Sequence, residues 1–194
     1  NNSWRLSGQG SASNLIVSMP NGQTLRLPSM QGKVEAVGRW GGDSLEELTR
    51  ADVSLATSGL DLKAELVQAV HDPTTTVPMP IRIVGSGRLD TLLETFGPWL
   101  PPELNDGAGS FRANARAEVS TLTARLTSAS IDLTDPKIAY ANRFFSQPQV
   151  KIQFDGQYTW PANSILARSM TIAGDAFSMA AKGNASAEQI DMQI

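Results

Sequence analysis

Apolar and polar side chains alternate with a period of two residues along much of the chain. Between Ser110 and Ser120 the odd-numbered positions are Phe, Ala or Val, whereas the even-numbered positions are Arg, Asn or Glu. The same alternation runs through residues 150–160, 60–66 and 79–89. Successive side chains of a β-strand point to opposite faces of a sheet, so each segment predicts a strand with one apolar and one polar face.

Weaker alternation marks further short segments, and the spacing of all of them is typical of an antiparallel all-β protein. These weaker segments are residues 14–19, 24–27, 33–40, 51–57, 122–127, 129–133, 137–141, 165–172 and 176–182. We therefore predict an all-β fold with one or two short helices. The strands form an extended, curved antiparallel sheet or trough, and a sandwich-like arrangement is the alternative.

Turn-forming dipeptides separate several of these strands. Asn21-Gly22 predicts a hairpin turn, and Asp135-Pro136 and Asn105-Asp106-Gly107 predict further turns. Asp155-Gly156 lies inside a clear alternation, which indicates a bulge or a close approach of the backbone. The alternation also changes phase from Ser128 to Leu133, as one extra residue in a strand would cause.

One helix is predicted over Asp90–Phe96, where Leu92, Leu93 and Phe96 share a helical face. Thr91 and Glu94 have the spacing of a capping box. A second, short helical turn is predicted at Ser44–Leu48.

The segment from His71 to Pro80 is rich in proline and threonine and predicts a loop. It divides the chain at about residue 75. Residues 1–75 and 76–194 are therefore interpreted as two strand-repeat units, with one continuous sheet as the alternative. The chain begins and ends in strand-like sequence, which we interpret as a piece of a longer protein.

Composition and charge exclude several classes of function. The 194 residues include no cysteine and one histidine, so disulfides, thiol nucleophiles and histidine clusters are excluded. A net charge of −3 argues against binding to nucleic acid, which depends on clustered Lys and Arg. No apolar run reaches the roughly 18–20 residues of a membrane-spanning helix.

No motif of an enzyme is present. His71 beside Asp72 could supply a general base, and an exposed loop histidine is the favoured interpretation. The paired acids at 46–47, 52/61 and 132/135 could serve glycoside hydrolysis, but solvated strand and turn residues are the favoured interpretation. We therefore predict a non-enzymatic chain without a cofactor or a metal.

The apolar faces of the strands admit two interpretations. They fill the sealed core of a compact β fold, or part of them lines an open groove for acyl chains. The candidate groove residues are Ile81, Ile83, Leu89, Phe111, Val119, Val150, Ile152 and Phe154.

Residues 81–134 resemble the AsmA-like family of bacterial envelope proteins, with its TamB and YhdP types. The resemblance lies in the glycine-containing strand Ile81–Leu89, the short Leu-rich helix and the strand that begins Gly109-Ser110-Phe111. Further alternating strands follow as far as Asp135. The usual Gly-Asp-Leu tripeptide reads Gly87-Arg88-Leu89 here, which departs from the family pattern.

The resemblance implies a long sheet curled into a trough with an apolar inside. It implies a periplasmic segment of a protein anchored to the inner membrane by a part outside this chain. Its function would be phospholipid transport between the membranes or outer-membrane assembly, with phospholipid or another acyl-chain ligand and neighbouring domains of the same chain as partners.

Two other functions are also compatible with the sequence. The same fold with a closed core would be a structural or partner-binding module that docks by strand addition at its open edges. A carbohydrate-binding β-sandwich would use exposed Trp40, Trp160 or Tyr158, and buried indoles would remove that hypothesis.

Overall fold

The computed structural model describes residues 2–18, 24–73, 77–97, 104–140, 143–160, 162, 164–185 and 190–193. Within these ranges the chain forms thirteen strands and one helix. In chain order they are β1 (Asn2–Ser18), β2 (Thr24–Gly41), β3 (Ser44–Thr57), β4 (Leu60–Leu66), β5 (Val70–His71), β6 (Met79–Arg88), α1 (Leu89–Phe96), β7 (Leu104–Val119), β8 (Thr123–Tyr140), β9 (Arg143–Ser146), β10 (Gln149–Thr159), β11 (Ser164–Gly174), β12 (Ser178–Ala185) and β13 (Ile190–Gln193). The predicted all-β antiparallel fold is confirmed.

All of these strands belong to one antiparallel sheet. Its order is β1-β2-β3-β4-β6-β7-β8-β10-β11-β12-β13, with β5 paired to β3 and β9 paired to β8. The first and last strands of this order do not pair with each other, so the described sheet is open and not closed into a barrel. Apart from β5 and β9, strands that follow one another in the chain are neighbours in the sheet, as is typical of antiparallel sheets.

The sheet is a single layer over the residues that the structure describes, which favours the extended sheet over the sandwich-like alternative. The chain exposes 12687 Å², whereas a compact protein of 20.8 kDa exposes about 9,000 Å². Among the described residues the buried hydrophobic ones are correspondingly few: Val70, Phe111, Ala117, Leu133 and Val150.

The turn between β2 and β3 corrects one prediction. Ser44–Leu48 begins strand β3, so the predicted helical turn there is wrong. Gly41 and Ser44 pair directly and leave a two-residue turn. Its first central residue, Gly42, has a φ of +65°, as a type II′ hairpin turn requires. The register that this turn sets outweighs the local helix propensity of the segment.

The change of phase at Ser128 is a β-bulge, as predicted. Arg116 pairs with Ser128 and Ala117 with Leu126, so Thr127 is an extra residue on β8. One extra residue turns the following side chains to the other face. The bulge therefore keeps the apolar side chains of β8 on one side of the sheet.

Asp155-Gly156 shows both of the features that were predicted as alternatives. The pairing of β10 with β11 shifts register between these two residues. A Cβ on Gly156 would lie 2.4 Å from the ring of Phe154 and 2.7 Å from the carbonyl oxygen of Leu166. Only glycine allows this close approach without displacing its neighbours.

Two predicted turns are wrong, because both segments lie inside strands. Asp135-Pro136 is part of β8, and Asn105-Asp106-Gly107 is part of β7. Asp135 has a φ of +48° and Gly109 on the neighbouring strand has a φ of +112°, so both strands accommodate an irregularity here. The Asp135 amide donates to the carbonyl oxygen of Pro148 over 2.8 Å, which keeps it paired. The predicted Asn21-Gly22 turn lies outside the described residues.

The predicted helix is confirmed as α1, but its predicted capping box is wrong. The helix begins at Leu89, and Arg88 is the N-cap without a side-chain capping bond. The Thr91 amide instead donates to the Asp90 carboxylate over 2.7 Å. Leu89, which was predicted as the end of a strand, is therefore the first residue of the helix.

The sheet continues across the predicted boundary near residue 75, because β4 pairs with β6 from Leu60↔Gly87 to Leu66↔Ile81. The division into repeat units 1–75 and 76–194 stays a prediction.

Gly87 offers a test of how tightly this end of the sheet is packed. A Cβ there would lie 2.3 Å from the carbonyl oxygen of Gly59 and 2.7 Å from the Phe111 ring. We expect Gly87→Ala to lower the free energy of unfolding by about 1–3 kcal/mol, because a backbone atom blocks the added methyl group. Urea denaturation measures this change.

The matched control is Gly10→Ala, because a Cβ at Gly10 in β1 has no neighbour within 4 Å. Removing this glycine should leave stability unchanged or raise it by up to about 1 kcal/mol. An equal decrease in the free energy of unfolding of both variants would contradict the packing described for Gly87.

Candidate functional site

Directly paired residues on neighbouring strands form apolar rows that cross the sheet. We call each row a rung. The first rung contains no polar side chain: Gly10, Gly32, Leu55, Leu62, Gly85, Ala113, Ile131, Ile152, Ile172 and Met179. The second rung is two residues away on each of the same ten strands: Gly8, Val34, Val53, Ala64, Ile83, Ala115, Ala129, Phe154, Met170 and Ala181. Together the rungs make one continuous apolar face.

This apolar face is large and partly open to solvent. At a strand spacing near 4.8 Å, ten strands extend over roughly 45 Å, and the two rungs cover on the order of 600 Å². Monomeric soluble proteins rarely expose larger apolar patches than this. Val53 and Met179 are each 50% exposed, so the face is accessible where they lie.

Helix α1 covers one margin of the apolar face. Phe111, Leu133 and Val150 form a buried cluster there, against which Leu89 and Leu92 pack from the helix. Phe177 also packs on this cluster. The covered margin supplies most of the buried core, and four first-rung residues, Ala113, Ile131, Ile152 and Ile172, pack against the same cluster. The open part of the face is formed by the rest of the two rungs.

Two glycines allow the helix to lie close to the sheet. A Cβ on Gly59 would lie 2.3 Å from the side chain of Thr91, and one on Gly107 would lie 2.2 Å from Leu93. Gly107 is itself buried. Side chains of helix α1 therefore contact the backbone of Gly59 and of Gly107 directly.

The structure brings the sequence-predicted groove residues to one side of the sheet. Ile152 lies in the first rung, and Ile83 and Phe154 lie in the second. Ile81 pairs with Ala117 in the next row beyond the second rung, and Val119 pairs with Met79 in the row after that.

The remaining three candidates belong to the covered margin. Phe111 is 9% and Val150 is 3% exposed, and Leu89 packs from the helix on the cluster that they form with Leu133. These residues support the apolar face from beneath α1, and their side chains are not part of its open surface.

Sequence reasoning missed several residues of the open face. Val34, Val53, Leu55, Ile131 and Ile172 lie in the two rungs but were not named as candidates. These residues could have been found because they occupy the apolar positions of segments in which apolar and polar residues alternate less regularly. Their membership of a rung depends on strand register, which the local pattern does not give.

The opposite face of the sheet is polar and carries a chain of ion pairs over β1 to β6. Arg5 and Arg50 both contact Glu35, at 3.6 and 3.8 Å. The chain continues through four further charged side chains, because Arg50 also pairs with Asp52, Lys63 pairs with Asp52 and Glu65, and Arg82 pairs with Glu65. Such exposed pairs contribute little stability individually, so this face mainly keeps the outer surface solvated.

The geometry does not favour catalysis at His71. Its side chain is 75% exposed, and its Nδ1 lies 3.4 Å from Glu47 rather than against Asp72. No group of His, Asp and Glu suited to a metal ion occurs among the described residues.

The aromatic residues of the carbohydrate hypothesis are not buried. Trp40 is 46% and Trp160 is 43% exposed, and Tyr158 is half-buried. The Trp160 Nε1–H group donates to the carbonyl oxygen of Ser120 over 3.1 Å, so this donor is already used. Carbohydrate binding stays a prediction.

The start of helix α1 is held by an ion pair. The Arg88 Nε–H group donates to Asp90 Oδ1 over 3.0 Å, and Arg88 Nη2 contacts Oδ2. This hydrogen bond to Arg88, together with the Thr91 amide, lowers the pKa of Asp90. The same pair raises the pKa of Arg88.

Comparison of the chain with protein-family models, curated proteins and solved structures finds no match in any of the three. The resemblance to the AsmA-like family stays a prediction. In the ranges that the structure describes, α1 is too short to cross a membrane, and no other helix is present.

The lowered pKa of Asp90 predicts an acid-dependent contribution to stability. A depressed pKa in the folded state stabilises the fold above the unfolded value, and that contribution is lost as pH falls through the folded pKa. We expect Asp90→Asn to lower the melting temperature at pH 7 and to lower it less at pH 3. Thermal unfolding at both pH values measures the difference, and equal effects at the two pH values would contradict it.

Proposed function

We propose that this chain is a non-enzymatic segment of a large cell-envelope protein whose apolar face binds acyl chains. In that role it takes part in phospholipid transport between membranes or in outer-membrane assembly. The observation that carries the proposal is the pair of apolar rungs, which run in register over ten strands and remain partly exposed.

An acyl chain suits such a face because its binding needs no directional contact. Each buried CH₂ group contributes about 0.8 kcal/mol, so affinity grows with the length of the contact. Antiparallel pairing of the strands uses backbone N–H and C=O groups in ladder hydrogen bonds beneath the lipid. A polar ligand would find no side-chain partner on the two rungs.

The cellular setting of the proposal rests on the resemblance of residues 81–134. It implies a periplasmic location, an inner-membrane anchor in a part of the protein outside this chain, and neighbouring domains of the same chain as partners. The exposed apolar face is compatible with that setting, because the largest apolar patch on a protein surface is often a binding site.

Substitutions on the two faces of the same strands test acyl-chain binding. Val53→Asp combined with Ile83→Asp places two charges in the second rung. We expect capture of a phospholipid with a photoactivatable acyl chain to fall several-fold, because a carboxylate in contact with hydrocarbon loses its hydration. Cross-linking yield measures the effect.

The control adds the same charge on the polar face, through Ser54→Asp and Val84→Asp at the adjacent positions. Circular dichroism establishes that both double variants are folded. Capture that is unchanged in the first variant, or reduced equally in both, would contradict binding on the apolar face.

A structural or partner-binding module is the second candidate, and the edge strand β1 supports it. β1 has 17 residues and is paired on one side only within the described sheet. Its single charged residue is Arg5, and it contains no proline. Long, sparsely charged edge strands are templates for pairing with another strand.

The absence of native cysteine makes strand addition at β1 directly testable. We expect Gln9→Cys to form a disulfide with a cysteine-bearing partner strand under oxidising conditions, whereas Gln153→Cys in the interior strand β10 should not. Non-reducing electrophoresis of a fragment extended by its neighbouring domain provides the measurement. Equal cross-linking at both positions would contradict pairing at β1.

A further inference from the structure

An exposed apolar patch lies where the β7–β8 and β10–β11 hairpins turn. Leu122 is 54%, Trp160 is 43% and Ile165 is 47% exposed. Leu122 stands in the turn that precedes β8, and Trp160 and Ile165 flank the turn into β11. We call these three residues the hairpin-end patch.

Hydrogen bonds hold Trp160 in a fixed position. Its backbone amide donates to the carbonyl oxygen of Leu122 over 3.0 Å, and its Nε1–H group donates to Ser120. The ring of Tyr158 packs edge-on against the indole, with 4.6 Å between centroids. Since the indole N–H is already bonded, the exposed surface of Trp160 is hydrocarbon.

Both hairpin ends lack charged residues. Residues 119–124 and 156–167 contain no Asp, Glu, Lys or Arg. Insertion of these turns into a bilayer interface would therefore not require the removal of water from a charged group. Trp and Tyr are enriched at that interface because their rings combine an apolar body with a polar group.

The patch is continuous with the apolar face. Val119 pairs with Ala124, Ala124 with Tyr158, and Tyr158 with Ile165, which forms a further row beyond the rungs. This row connects the patch to the surface on which acyl chains are proposed to bind.

We propose that the hairpin-end patch inserts into the headgroup–hydrocarbon boundary of a phospholipid bilayer, and that acyl chains pass there between the bilayer and the apolar face. The inference rests on the proposed function for its second part. Because the patch is uncharged, its binding to phosphatidylcholine should be insensitive to ionic strength.

Vesicle binding provides the first measurement. Phosphatidylcholine vesicles with brominated acyl chains should quench the fluorescence of wild-type tryptophan, and the protein should float with them. Leu122→Asp combined with Ile165→Asp should reduce both signals several-fold. Flotation that is unchanged in this variant would overturn the inference.

Leu166→Asp is the matched control. Leu166 is 44% exposed, adjoins Ile165 and pairs with Gln157 on the polar side of the sheet. Phe144→Asp is a second control, because Phe144 is 71% exposed at the other end of β8 and follows the charged Arg143. Both controls should bind vesicles as the wild type does, and an equal loss in either would overturn the assignment to the patch.

A fluorescent fatty acid in solution separates this inference from the proposed function. Patch variants that bind the fatty acid normally but take up lipid from vesicles several-fold more slowly would support lipid passage at the patch. Uptake at the wild-type rate would overturn that passage and leave acyl-chain binding intact. Wild-type protein that floats with vesicles but binds no fatty acid would overturn the proposed function and leave membrane contact at the patch intact.

Discussion

The structure depends on antiparallel pairing that stays in register over ten strands. A slip of one residue in any strand would turn its apolar side chains to the polar face. The bulges maintain this register on the C-terminal side of the sheet. On β10, Asp155 alone separates two successive positions of the apolar face. The paired positions are separated by two exposed polar residues on each neighbouring strand, Thr127-Ser128 on β8 and Arg168-Ser169 on β11. The extra residues are absorbed on the polar side, so the apolar rungs remain continuous.

A single-layer sheet cannot obtain its stability from a deep core. Three of the five buried hydrophobic residues among the described part of the chain lie at the margin covered by α1, where Phe111, Leu133 and Val150 pack together. Gly59 and Gly107 allow helix α1 to lie directly on the backbone, and Gly87 does the same for the ring of Phe111. The ion pairs of the other face add little energy, because their side chains are exposed. Stability is therefore concentrated at one margin, and the rest of the apolar face is left accessible.

The sequence predicted the strands and their apolar sides because alternation is a local property. It predicted the bulge at Ser128 for the same reason. The register of the strands, their length and the part of the apolar face that α1 covers all depend on contacts between distant residues. For these features the local sequence signals were misleading. Asp135-Pro136 has the composition of a turn, yet the carbonyl oxygen of Pro136 accepts from the Gln147 amide and β8 continues through it. The burial of Phe111 and Val150 under α1 likewise has no signature in either strand.

The side chains of the two rungs distinguish an open binding face from an incomplete core. A second sheet would stand about 10 Å away and would need interdigitating side chains to fill the space. Nearly half of the rung positions are Gly or Ala: Gly8, Gly10, Gly32, Ala64, Gly85, Ala113, Ala115, Ala129 and Ala181. A rigid sheet packed on them would leave voids, each of which is destabilising. A flexible hydrocarbon chain can follow such a surface closely, which is why the face is better suited to acyl chains than to a packed protein layer.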